Sequence, residues 1–242
     1  MRLSHLLLVL ILVAISAQLA LAGDIVAMPT GNMEPANTIS LGYIYWKTDA
    51  VPTPKSVGPV RTYINVGELF WGVTDRLELD GLLVNPEGWG KTGVGEKNDL
   101  TELNLYYAAV KENAKHPSLI VGATNLTSQD WLPSNDRPSP RQGDNRISPF
   151  VLSAYNVLAP KGPPSWQSPL VRLQLGWGAN WSDNAFFGGA QVMLNPKYGV
   201  AVLNYQEQPA YLAAYIPCKG WEVDAGWDKG WPLVHVEYTQ KF

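Results

Sequence analysis

The sequence has few of the residues that carry metal, redox or hydrolytic chemistry. Cys218 is its single cysteine, so an intrachain disulfide is impossible, and its only histidines are His5, His116 and His235. A structural zinc site needs about four Cys or His ligands at characteristic spacings, which this chain does not offer. Nucleotide-binding glycine loops and the Gly-x-Ser-x-Gly motif of esterases are also missing. The sequence therefore predicts no cofactor and no metal.

Charge is scarce as well. Asp, Glu, Lys and Arg make up 16% of the chain, whereas soluble domains average roughly 25%. The formal net charge is -3, and a nucleic-acid partner would favour a basic face instead. Aromatic residues are plentiful, with Trp 10 and Tyr 11. This combination suits a protein whose outer surface contacts lipid and whose inner surface contacts water.

The first residues have the organisation of a secretory signal peptide. Arg2 provides a short positive region, Leu6 to Ile15 an apolar region, and Ala20-Leu21-Ala22 a cleavage site of small residues. No later stretch approaches the ~18 uninterrupted apolar residues of a spanning helix. We therefore expect a signal peptide over residues 1–22, followed by a single domain over residues 23–242.

The rest of the chain alternates apolar and polar residues in short segments separated by turns. In the last segment Val234, Val236, Tyr238 and Phe242 share one face of a strand, and His235, Glu237 and Lys241 share the other. About twelve such segments occur, and single-chain bacterial barrels have an even number of strands. The sequence predicts an all-β fold, an antiparallel transmembrane β-barrel of about 12 strands, in the outer membrane of a diderm bacterium. A soluble secreted sandwich is the alternative fold.

The lengths of the connections between these segments support a barrel that spans the outer membrane. The long connections 86–98 and 127–145 fall on one side of the predicted barrel, as expected for external loops. The C-terminus then falls on the periplasmic side, where the last strand closes against the first. Closure is required in lipid, because an open edge leaves backbone groups without hydrogen bonds.

Polar side chains on the inward faces are the candidate lumen residues. Within residues 60–66 we expect Val66 and its alternating neighbours outside and Arg61 inside. Two interpretations remain: a lining that selects or conducts a polar solute, or paired charges that fill a narrow barrel. The candidate lumen-lining residues are Arg61, Arg76, Glu78, Asp80, Glu102, Arg172, Gln174, His235, Glu237 and Lys241.

Three stretches resemble bacterial outer-membrane barrels. The segment from Phe70 to Leu79, Phe-Trp-Gly-Val-Thr-Asp-Arg-Leu-Glu-Leu, resembles a hairpin common in such proteins, and Tyr106 to Asn125 is similar to YjbH-like, exopolysaccharide-associated barrels. The terminal Phe242, with Tyr238 four residues earlier, resembles the membrane-insertion signal read by the barrel-assembly machinery, although Gln240 departs from that pattern. The resemblance implies fold and location, with the assembly machinery and outer-membrane lipid as partners, and it implies no catalytic residue.

The function expected from these observations is non-catalytic passage or export of a polar solute or (poly)saccharide. One alternative is a structural or exopolysaccharide-assembly partner barrel whose lumen is closed. Another is an outer-membrane lipid hydrolase, in which His235 beside Glu237 orients a serine on a neighbouring strand. The sequence separates none of these three functions from the others.

Overall fold

The computed structural model describes residues 31, 33–51, 60–87, 100–127, 147–158, 171–179, 185–205, 208–228 and 231–242. The predicted signal peptide, residues 1–22, lies outside these ranges. Among the described residues no helix is both long enough and apolar enough to cross a membrane. The strands are β1 (Thr38–Val51), β2 (Val60–Gly72), β3 (Leu77–Glu87), β4 (Leu100–Val110), β5 (Ser118–Thr124), β6 (Ser148–Leu158), β7 (Val171–Gly178), β8 (Ala185–Asn195), β9 (Tyr198–Tyr205), β10 (Gln208–Tyr215), β11 (Trp221–Asp228) and β12 (Trp231–Lys241).

Each strand pairs antiparallel with its neighbours in the sequence, and β1 pairs with β12 to close the barrel. At the seam Thr38 lies opposite Lys241 and Leu41 opposite Tyr238. Closure satisfies the backbone donors and acceptors of both terminal strands, which otherwise form exposed sheet edges. The predicted all-β, antiparallel barrel of twelve strands is therefore confirmed.

Apolar side chains cover the outside of the barrel. Leu83, Leu103 and Leu175 have exposed fractions of 53%, 47% and 61%, although leucine is usually buried in soluble proteins. Aromatic pairs lie at the end of the barrel that carries the 216–220 turn: Trp221 contacts Tyr238 and Tyr198 stacks on Tyr215. The outer surface therefore has an apolar wall with aromatic residues at one rim.

One side of the interior is filled by an apolar cluster. Tyr106 packs against Phe150 with ring centroids 5.3 Å apart, and Phe150 meets the edge of Phe187 at 6.4 Å. Polar side chains lie on the opposite side of the lumen. The buried cluster consists of Tyr106, Ile120, Phe150, Leu152, Phe187, Leu203 and Ala210, with Met33 and Leu212 packed against it.

The chain before β1 crosses the interior. The Gly31 N–H donates to Gln174 Oε1 on β7 at 2.7 Å, and Arg172 Nη2 donates to the Gly31 carbonyl at 2.6 Å. The Glu34 N–H then donates to a carboxylate oxygen of Glu78 on β3. Since β7 and β1 lie on opposite sides of a twelve-strand ring, Gly31 and residues 33–37 mark a path across the lumen.

The structure corrects the predicted faces of β2. Val66 is fully buried in the interior beside Glu68, whereas Leu69 and Trp71 are exposed on the outside. The prediction that Val66 faces outward was wrong, because an apolar side chain also fills a narrow lumen when it packs against other walls.

Candidate functional site

A cavity of about 540 Å³ lies inside the barrel, next to the apolar cluster. Carboxylates dominate its charged lining, and the basic side chains among its described lining residues are Arg172, Lys219, His235 and Lys241. Lys219 and Lys241 are exposed at one mouth of the barrel. The seven lining carboxylates are Glu34, Glu68, Glu78, Asp80, Glu222, Asp224 and Glu237.

His235 lies among three of these carboxylates. Its Nδ1 is 2.8 Å from Asp224 Oδ2, its Nε2 is 3.1 Å from Glu68 Oε2, and Glu237 Oε2 is 3.9 Å away. Strand register explains the Asp224 contact, because His235 and Asp224 are paired across β12 and β11. The Glu68 contact crosses a whole strand, β1, to reach β2.

Gly42 makes that long contact possible. It lies on β1 between Glu68 of β2 and Glu237 of β12 in the pairing register. A Cβ atom at this position would lie 2.6 Å from Glu68 Oε2 and 2.9 Å from His235 Nε2. The missing side chain therefore leaves the space in which the carboxylate and the imidazole meet.

Two carboxylate oxygens in the cavity have no partner. Asp80 and Asp224 are each 4% exposed, and Oδ1 of each lies buried without a hydrogen bond. Buried polar atoms in proteins are usually hydrogen-bonded, because an unsatisfied one costs ~1–3 kcal/mol. Both residues line the cavity, whereas these two oxygens themselves have no accessible surface in it.

Arg172 lies away from the His235 cluster and is held by several partners. Its Nη1 donates to Glu112 Oε2 at 2.6 Å and to Asn156 Oδ1 at 2.7 Å. Glu112 also accepts the Asn156 N–H at 2.7 Å. Together with its bond to the Gly31 carbonyl, these contacts make Arg172 an anchor for the wall and the crossing segment.

The structure brings most of the predicted lumen residues to the cavity. Glu102 is buried on β4, at 2% exposure, without being part of the cavity lining. Arg61 lies in β2, but its side chain is outside the described residues. The predicted residues that line the cavity are Glu78, Asp80, Arg172, Gln174, His235, Glu237 and Lys241.

Arg76 does not lie in the lumen. It is exposed in the turn before β3, which begins only at Leu77, and its Nη1 donates to the carbonyls of Ala108 and Ala109 at 3.3 and 3.2 Å. Lys111, which follows β4, donates a hydrogen bond to Asp75 in the turn between β2 and β3 and thereby lowers the pKa of that carboxyl. The prediction for Arg76 was wrong because the strand alternation was extended one residue into the turn.

Sequence reasoning missed Glu68, Glu222 and Asp224 as lining residues. A usable signal was present for the last two, since they alternate with Trp221 and Val223 along β11. Glu68 carried a weaker signal, because Gly67 on one side of it leaves the outward face without a large apolar residue. The same alternation rule that identified Glu78 and Asp80 would have found the β11 pair.

The hydrolase alternative gains no support from this geometry. A catalytic histidine needs a hydroxyl or thiol within hydrogen-bond reach of the nitrogen that is not held by its orienting carboxylate. In the described part of the chain, His235 has carboxylates near both nitrogens. These contacts indicate that His235 belongs to a cluster of charged groups and does not act as the base for a nucleophile.

The predicted insertion-signal residues lie on the outside of the seam. Tyr238 is 36% exposed and Phe242 is 71% exposed. The Phe242 N–H donates to the Asn37 carbonyl at 2.9 Å, so the terminal residue is held by its backbone. Recognition of these side chains by the assembly machinery stays a prediction.

Comparison with known proteins found similarity to solved structures only. No protein-family model matches the sequence, and no curated protein matches it. An outer membrane channel from Pseudomonas putida F1, known from a crystal structure, is 18% identical, and the alignment covers 91% of this chain and 98% of that one with a TM-score of 0.40. The fold conclusion therefore depends on the strand pairing of this chain itself.

Proposed function

We propose that this chain is an outer-membrane β-barrel through which a small polar solute passes. The observation that carries the proposal is the two-sided wall. Leucines such as Leu83 and Leu175 are exposed on the outside, whereas carboxylates and His235 line a cavity of about 540 Å³ on the inside. An apolar exterior with a polar interior is the arrangement of barrels that contact lipid and enclose an aqueous path.

The membrane part of the proposal has a direct test in a matched pair of substitutions on β7. Leu175→Lys places a charge on the outer face, and Gln174→Lys places the same charge on the lumen face. In a bilayer a lysine on the lipid face costs ~2–4 kcal/mol near the midplane. Urea unfolding from lipid vesicles should show this loss for Leu175→Lys and a smaller one, about 1 kcal/mol, for Gln174→Lys, because lysine cannot accept the hydrogen bond that Gln174 accepts from the Gly31 N–H.

Equal effects of the two lysines would contradict a lipid-facing exterior. A mature protein that stays monomeric without detergent would contradict it as well, because water would then cover the apolar wall. In that case the soluble alternative is correct.

Passage is tested by planar-bilayer recording of the purified mature chain. We expect discrete conductance steps, small for a twelve-strand barrel because Met33, Glu34 and the apolar cluster occupy part of the lumen. Substituting Leu233 of the cavity wall by Trp should reduce the conductance, whereas Leu83→Trp on the outside should not. A folded protein that never conducts would contradict passage.

A second candidate, a structural or exopolysaccharide-assembly partner barrel with a closed lumen, is favoured by one observation. The crossing segment is bonded to both sides of the lumen, through Gly31 to β7 and through Glu34 to β3. This candidate predicts absent conductance together with a stable companion recovered after mild detergent extraction. Conductance steps without a companion favour passage instead.

A further inference from the structure

Two basic turns lie side by side at one end of the barrel. Lys197 is in the turn between β8 and β9, and Lys219 is in the turn between β10 and β11. The turns are joined directly, because the Ile216 N–H donates to the Lys197 carbonyl at 2.9 Å. Strands β9 and β11 are separated by two strand spacings, roughly 10 Å. Both lysines are exposed, and their long flexible side chains can therefore approach one anionic group together.

No negative side chain balances these two lysines on the outer wall. Neither turn contains Asp or Glu. In the described part of the chain, the outer faces of β9 to β12 also carry no carboxylate side chain, because the carboxylates of β11 and β12 line the cavity on the inner face. By contrast, Lys111 at the same end of the barrel is paired with Asp75. The charge of Lys197 and Lys219 is therefore presented to whatever surrounds the barrel.

Aromatic side chains lie on the outer wall immediately beyond both turns. Tyr198 and Trp221 are the first residues of β9 and β11. Tyr198 stacks on Tyr215 of β10 with ring centroids 5.2 Å apart, and the Trp221 ring lies 5.1 Å from that of Tyr238 on β12. Tyr and Trp prefer the level of lipid headgroups, because their rings are apolar and their polar atoms reach water. These four rings therefore mark the depth at which headgroups contact this wall.

The wall between these rings and the middle of the barrel is apolar. Val200, Tyr211 and Val234 are exposed on the outside of β9, β10 and β12. A barrel wall of this kind is covered by acyl chains when it lies in a bilayer. The order of charge, aromatic ring and apolar wall therefore matches a molecule with a negative headgroup and hydrocarbon chains.

We propose that the headgroup of an anionic phospholipid binds to this surface, with its phosphate at Lys197 and Lys219 and its acyl chains against the apolar wall. This inference rests on the membrane part of the proposed function and names a lipid partner of the outer wall. In the orientation expected from the connection lengths, this end of the barrel faces the periplasm, where the leaflet of a diderm outer membrane consists of phospholipids. A free phosphate ester carries the same charge but has no chains to contact the wall.

The test is native mass spectrometry of the folded mature chain in detergent. The probe is an equimolar mixture of phosphatidylglycerol and phosphatidylcholine with the same acyl chains. We expect adducts of phosphatidylglycerol to exceed those of phosphatidylcholine by at least about tenfold, because each lysine near the headgroup favours the anionic lipid by about fivefold. This preference should fall as the ammonium acetate concentration rises, since salt screens exposed charges. An excess of glycerol 3-phosphate should not displace the lipid.

Two substitutions each remove one of the charges, Lys197→Gln and Lys219→Gln. Each should lower the preference for phosphatidylglycerol by about fivefold. Lys115→Gln is the matched control, because Lys115 is an exposed lysine at the same end of the barrel but lies before β5, away from β9 to β12. It should change the preference by less than about twofold. Circular dichroism checks that each variant is folded, and the two rim variants substitute for each other if one of them does not fold.

Several results would overturn the inference. These are equal adducts of the two lipids, equal losses for Lys115→Gln and the two rim variants, a preference that salt leaves unchanged, and displacement of the lipid by glycerol 3-phosphate. Equal adducts from a barrel that conducts, or whose Leu175→Lys variant is destabilised in vesicles, contradict this inference alone. Preferential binding of phosphatidylglycerol without conductance contradicts the passage function alone.

Discussion

At the scale of single residues, the lumen is organised by contacts that pass over a neighbouring strand. His235 on β12 reaches Asp224 on β11 and Glu68 on β2, so one imidazole joins three strands plus the intervening β1. The contact with Glu68 depends on Gly42, whose position would otherwise be filled by a Cβ atom. A glycine in a strand interior weakens the strand by itself, and here it serves the close approach of two charged groups.

Gly42→Ala is expected to lower the free energy of unfolding by about 1 to 2 kcal/mol, because the new methyl group separates Glu68 from His235. Urea titration of the protein in detergent measures the change. Gly67→Ala is the matched control on β2, where a Cβ atom meets nothing closer than 3.9 Å. Similar effects of the two substitutions would show that the Glu68–His235 contact adds no stability.

Arg172 and Lys111 allow a comparison of a buried ion pair with an exposed one. The side chains of Arg172 and Glu112 are 7% and 16% exposed, whereas those of Lys111 and Asp75 are 41% and 67% exposed. Arg172→Met should destabilise the fold by about 3 to 5 kcal/mol, because Glu112 is left without its partner in a buried site. Lys111→Met should change stability by less than about 1 kcal/mol. Chemical denaturation of both variants in the same detergent gives the comparison, and equal losses would contradict the structural role assigned to Arg172.

At the scale of elements, the barrel has strands in its wall and one irregular segment inside it. The strands obey local alternation, so their positions follow from the sequence. Gly31 and residues 33–37 have no such pattern, and their place depends on polar groups of the wall: Arg172 and Gln174 bond to Gly31, and Glu78 bonds to Glu34. Asn37 then joins it to the wall, since its N–H donates to the Gly72 carbonyl at 2.8 Å.

Deletion of residues 23–36 is expected to widen the lumen without opening the wall. Asn37 stays in place to bond with Gly72 and Phe242, and the strand pairing does not use the deleted residues. Planar-bilayer recording should show a conductance several-fold above that of the mature chain. Deletion of residues 23–30 alone keeps Gly31 and Glu34, and a smaller increase there would assign the obstruction to the segment that these two residues anchor. A folded long deletion with unchanged conductance would contradict the crossing segment as an obstruction.

At the scale of the whole molecule, the seam between β1 and β12 closes the barrel and exposes the C-terminus on its outer surface. Phe242 is 71% exposed, so its ring adds little to the packing of the folded wall. The hydrogen bond from the Phe242 N–H to the Asn37 carbonyl does not depend on which side chain is at position 242. Folding stability and recognition of the terminal residue are therefore separable properties.

Phe242→Ala should reduce the amount of barrel assembled in the outer membrane of cells, because the ring is part of the predicted insertion signal. The same variant refolded into detergent should lose less than about 1 kcal/mol in urea titration. Phe186→Ala is the control, since Phe186 is 61% exposed on the outer wall but far from the C-terminus. Equal assembly of Phe242→Ala and the unaltered chain would contradict the signal.

The sequence by itself determined the strand count, the closed antiparallel wall and part of the lining. These properties repeat every second residue and are therefore local: Glu78 and Asp80 alternate with leucines, and His235 and Glu237 alternate with valines. The failures were local too, since Arg76 lies one residue outside its strand, and Val66 is apolar yet faces inward.

Only the tertiary structure decided which lining groups meet. The contact between Glu68 and His235 joins residues far apart in the sequence and depends on the residue register between β12, β1 and β2, which no alternation pattern encodes. The crossing of the lumen by Gly31 and residues 33–37 likewise depends on hydrogen bonds to β3 and β7. Alternation assigns each side chain to a face, whereas barrel closure and shear set the distances between faces, and these distances determine the chemistry of the cavity.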